Sequence, residues 1–177
     1  MIQSRRRLAA LALAAVLFIN CGGATILKSF RVALASSGPL VNSLVASGAI
    51  SSTKATAIIA DFDAGAQCGL TLEGAFAAIP DDLPEREKTA RKLNASVAGL
   101  RCFKVVIDRR NFATHPRIQQ VAAIAEGVLA SLVVFYSEPG EMRASAEGVA
   151  TVKARNEKEL EVQLKAQVET LKRAMKP

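Results

Sequence analysis

The chain has 177 residues and a formal net charge of +7, of which Arg5, Arg6 and Arg7 supply three. Half of its residues are hydrophobic, enough to bury the core of one domain, so the composition excludes a chain that stays unfolded for want of apolar surface. Seven Phe, one Tyr and no Trp, against many Ala, Leu and Val, suit closely packed helices better than a sheet.

Arg5 to Arg7 precede an unbroken apolar run from Leu8 to Ile19, and Asn20-Cys21-Gly22-Gly23 follows. Charge, then apolar residues, then small or polar ones is the layout of a secretory signal. The run is shorter than the ~20 residues a spanning helix needs. Residues 1–20 are therefore expected to be a signal peptide or an N-terminal anchor. With Cys21 placed directly after the run, the region resembles the precursor of a bacterial lipoprotein. That resemblance covers the signal region only, and Asn20 stands where such precursors usually carry a small residue. It implies lipid attachment at Cys21 and a membrane-anchored, periplasm-facing place in the bacterial cell envelope. Without lipid, Cys21 is incidental to an ordinary signal peptide or a short uncleaved anchor, and a cleaved product is secreted.

Residues 21–137 read as a helical bundle. From Ala24 to Ser36, Ile26, Phe30 and Leu34 share one helical face, with Leu27 beside them. Ser36-Ser37-Gly38-Pro39 breaks this helix, and Pro39 opens a second with Leu40, Val41, Leu44 and Val45 on one side, ending at Gly48. Ser51-Ser52 offers an N-cap for a third, whose apolar side is expected to run through Ile58, Phe62, Ala66, Leu70 and Phe76. Gly65, Gly69 and Gly74 interrupt that run. Either the helix breaks there or neighbours approach closely over the glycines.

Pro80-Asp81-Asp82-Leu83-Pro84 is a loop and helix start, with Asp82 the expected cap and Glu85 and Glu87 matching the positive end of the helix dipole. The helix is expected to reach Arg110 with Leu93, Val97, Leu100 and Ile107 inward. Thr114 is the expected cap of the next helix and Pro116 lies in its first turn. From Val121 to Tyr136 that helix is almost wholly apolar, which predicts the central helix of the bundle. Residues 138–153 lack a period and read as a linker. Residues 154–177 form a polar amphipathic helix with a narrow seam of Leu160, Leu164, Val168, Leu171 and Met175. That seam can pack on the bundle, on another protein or on a second copy of the chain.

Cys68 and Cys102 fall on neighbouring predicted helices. In an oxidising compartment they can form a disulfide, although Cys102 points away from the expected Leu93/Leu100/Ile107 face; two free thiols are the other reading. Residues 86–117 carry nine basic residues against Glu87 and Asp108. Arg101, Lys104, Arg109 and Arg110 are candidates for contact with a membrane surface, with a solvated helix face as the alternative. Asp61 and Asp63 point to different sides of a helix and read as a solvated edge. His115, the only histidine, has no partner ligands or marked nucleophile and reads as structural. Phosphate-binding glycine loops, dinucleotide fingerprints and zinc clusters are absent from the sequence.

The expected fold is an all-α bundle of about four or five helices with a polar C-terminal helix. The expected protein is a binding or structural module of the envelope, attached to membrane lipid through its N-terminus. No enzyme activity, cofactor, metal or nucleic-acid partner is expected. A holin-like or other membrane-active lysis protein, inserting Leu8–Ile19 and Val121–Tyr136, is the alternative. An enzyme built from scattered carboxylates is a third reading.

Overall fold

In the computed structural model, the described residues are 21–107, 112, 115–137 and 156–177. They form six helices: α1 (Cys21–Ala35), α2 (Gly38–Ala46), α3 (Ser52–Ala77), α4 (Glu85–Ile107), α5 (Pro116–Tyr136) and α6 (Glu157–Ala174). The protein is an all-α bundle.

Local signals set several boundaries. Pro39 lies in the first turn of α2, where its missing N–H costs nothing. At the other end Gly48 takes φ +73°, its N–H bonds to the Val45 carbonyl and the Ala49 N–H to the Leu44 carbonyl. Those two bonds make a Schellman stop, which needs a residue free to adopt the left-handed conformation. The Ser51 side chain caps α3 by accepting from the Lys54 N–H. In α6, Asn156 accepts from the Glu159 N–H at 2.9 Å.

Two expected caps are displaced. The first bond of α4, from the Lys88 N–H, goes to the Pro84 carbonyl, so Pro84 and not Asp82 occupies the cap position. At α5 the cap is His115, whose side chain accepts from the Arg117 N–H; Thr114 lies outside the described residues. So do Asp108 to Asn111, and the described part of α4 ends at Ile107.

α3 runs unbroken through its three glycines. A Cβ on Gly65 would meet the Phe103 ring, and one on Gly69 would touch Arg31 and Phe30. The ~1 kcal/mol of helix propensity lost at each glycine is therefore matched by close packing at these two positions. Gly74 has nothing within 4 Å of such a Cβ. Across the α3–α4 seam, Leu72 fills the space beside Gly99. These glycines shift both apolar faces. Leu72 is buried and Leu70 is 44 % exposed, correcting the expected α3 face. On α4 the buried line is Ser96, Gly99, Phe103 and Val106, while Leu93, Val97 and Leu100 are only half-buried flanks.

The five longer helices close a ring in the order α1, α3, α4, α5, α6 and back to α1, with α2 packed on α3. Contacts between numbered pairs give the directions. Phe30 lies at Gly69 and Leu34 at Gly65; Leu72 lies at Gly99; Lys104 meets Glu126; Ser131 meets Gln167. Each of these neighbours is antiparallel, so α1 and α6 run parallel.

α5 is thus one wall of the ring, packed on α4 and α6, and not a central helix. The seam of α6 is buried as expected, in the same core cluster as Phe30, Phe62, Phe103 and Val128. The seam of α6 therefore forms part of the bundle's core. Residues 138–153, read as a linker, lie outside the described residues.

Candidate functional site

Cys68 and Cys102 form a disulfide joining α3 to α4, with Cα atoms 5.8 Å apart. The rotation of α4 explains how. Phe103 and Gly99 face the core in place of Leu100, so Cys102, next to Phe103, turns toward α3. Cys68 is buried and Cys102 lies at an exposed position on the edge of the same seam. A bridged pair has no thiol with which to attack a substrate, so its chemistry is that of a staple.

A second constellation sits where α5 ends and α6 begins. Lys92 on α4 places its Nζ 2.5 Å from Glu157 Oε1, and the Tyr136 hydroxyl donates to the same oxygen at 3.4 Å. The Lys92 Nζ also lies 5.5 Å from the centre of the Tyr136 ring, within cation–π range. Burial pushes the Tyr136 hydroxyl pKa up, and the Glu157 charge and hydrogen bond push it the same way. Tyr136 is thereby kept protonated as a donor, which suits a clasp and not a general base. Periodicity could not pair these three residues, since they lie on three helices.

The basic residues singled out in the sequence are dispersed. Lys104 forms a 3.2 Å ion pair with Glu126 on α5, and its side chain is half-exposed. Arg101 is exposed. Arg109 and Arg110 lie outside the described residues. Lys88 and Arg91, nearer the start of α4, pair with Glu85 and Glu87. Four of the six basic residues on the described part of α4, Lys88, Arg91, Lys92 and Lys104, are thus ion-paired.

Asp61 departs from expectation. It is 3 % exposed and engaged in a polar interaction, whereas Asp63 is exposed. It lies on the line of α3 that continues through Gly65, Cys68 and Leu72 against α4. Local spacing gave no hint of its burial. The Nδ1 of His115 is occupied by the Arg117 N–H at 3.2 Å. Among the described residues, no three His, Cys, Asp or Glu side chains converge as metal ligands do.

Cys21 is the first residue of α1. Ile26 and Leu27, one turn and a half further on, are already in the core. The described chain therefore enters the core within two turns of Cys21. Compared with known proteins, the chain matches no family model, no curated sequence and no solved structure.

Proposed function

We propose that this protein is a small exported helical module of the bacterial cell envelope, held at a membrane by its N-terminus and acting there as a binding or structural element. The Cys68–Cys102 disulfide carries this reading. Structural disulfides belong to oxidising compartments, and the Arg5–Ile19 stretch has the layout of an export signal. Two unrelated features thus favour the same compartment. Lipid on Cys21 accounts for the third cysteine.

The intact mass of the protein purified from membranes tests this. The expected species begins at Cys21, carries a diacylglyceryl and an acyl group, and is alkylated at Cys68 and Cys102 only after reduction. An unmodified chain whose cysteines alkylate without reductant would sink the reading.

The lysis-protein alternative has one observation in its favour. α5 is 21 residues long and contains an 18-residue window of mean hydropathy 1.8, enough to cross a membrane by length and composition. Half of that window is buried inside the protein, against α4 and α6, which favours its role as a bundle wall. A Cys21→Ser variant separates the two. It becomes soluble if lipid is the only attachment, and stays in alkaline-extracted membranes if α5 is inserted.

A further inference from the structure

We infer that the pole of the bundle made by the end of α3, the 78–84 turn and the first two turns of α4 rests on the surface of a phospholipid bilayer. The inference deepens the proposed membrane attachment and rests on it; the orientation comes from the helix register.

α1 leaves no spacer. It is helical from Cys21, and at 1.5 Å per residue Ile26 lies only about 8 Å further along. Ile26 is buried, so the bundle cannot swing away from its attachment without unpacking α1. Whether that attachment is lipid on Cys21 or the apolar run before it, it ends at the same place.

Register then decides which pole meets the membrane. Phe30 and Leu34 pack beside Gly69 and Gly65, so α1 and α3 run in opposite directions and Cys21 is level with Ala77. Cys68 bonds to Cys102 and Leu72 packs at Gly99, so the start of α4 lies at this pole too. The same register carries its first two turns past the end of α3.

Arg101 and Lys104, the earlier candidates for lipid contact, stand about 24 and 28 Å along α4 from Glu85. The screening length at physiological salt is about 8 Å, so headgroup charge hardly reaches them. Residues 81–92 lie at the membrane pole with four basic residues matched by four acidic ones, and the Lys92–Glu157 pair brings the start of α6, with Glu157, Lys158 and Glu159, to the same pole. The contact is therefore imposed by the attachment point and not by charge.

The test is hydrogen exchange read by mass spectrometry on the full membrane-purified chain. The chain is compared in detergent and in vesicles of phosphatidylcholine with phosphatidylglycerol, with flotation run in parallel. Exchange in the 78–84 turn should slow by at least about fivefold in vesicles, while the 47–51 turn at the opposite pole is unchanged. The slowing should persist from 50 to 300 mM NaCl, roughly a 2.4-fold range of screening length. A chain that does not float overturns both the attachment and the orientation. A chain that floats but slows at 47–51, or is unchanged at 78–84, overturns the orientation alone. Slowing that vanishes with salt would show a charge-driven contact, and the attachment-imposed one would be wrong.

Discussion

The Phe103 ring occupies the space that a Cβ on Gly65 would need: its Cε2 would lie 2.9 Å from that atom. Phe103 is 1 % exposed and touches the Phe30 ring as well, so it has little room to retreat. The α3–α4 separation is set at this point.

Gly65→Ala is therefore expected to destabilise the bundle. Overpacking costs about 1–3 kcal/mol, only partly offset by the ~1 kcal/mol that alanine gains in helix propensity. Gly74→Ala, with open space around it, should instead stabilise by about 0.5–1 kcal/mol. Urea unfolding of the two variants beside the parent chain measures both. A stabilised Gly65→Ala would mean that the seam is looser than described.

Reduction should leave the protein helical but weaken it. The disulfide links residues 34 apart, and restricting that loop in the unfolded chain is worth about 3–4 kcal/mol on the chain-entropy model. The Leu72–Gly99 and Gly65–Phe103 contacts do not need the bridge. Far-ultraviolet circular dichroism should stay nearly constant on adding reductant, while the urea midpoint falls. Collapse of the helical signal would show that the bridge holds the fold outright.

Alkaline pH should unfold the protein partly through Tyr136. Its pKa is raised in the folded state, chiefly by burial and then by Glu157. The unfolded chain loses this proton near pH 10 while the folded chain retains it. The associated stability is complete below pH 10 and declines above it, by at most about 1.4 kcal/mol per pH unit. Tyr136→Phe should flatten the part of the stability curve above pH 10. Parallel curves for the two proteins would rule this out.

Asn156→Ala should cost about 1 kcal/mol, because it removes the side-chain cap on the first turn of α6. Asn156→Asp should retain most of that stability, since aspartate caps equally well. Thermal melts of the three proteins give the ranking. An alanine variant as stable as the parent would place the stability of α6 wholly in its buried seam.

Bulky residues at regular spacing were readable. The faces of α1, α2 and α6, the Ser51 cap and the Gly48 stop all follow from local rules. What escaped was packing carried by small residues. Periodicity counts Leu70 and Leu100 but gives no weight to Gly65 and Gly99, where α3 meets α4, or to Gly69, where α1 packs on α3. The same blind spot turned Cys102 away from Cys68. α5 is apolar around most of its circumference, so its pattern names no inward direction and cannot tell a wall from a centre. The Lys92–Tyr136–Glu157 clasp depends on partners far away in the chain.

A ring of five helices cannot alternate in direction all the way round, and α1 and α6 are where the alternation fails. Their outer ends consequently lie about 27 Å apart, the length of the 18-residue α6. A circular permutant joining the two ends would need a linker of at least about eight extended residues. A fluorescent domain fused after Pro177 would emerge near Arg117, whose guanidinium bonds to the Lys176 carbonyl. It would stand clear of whatever holds the start of α1.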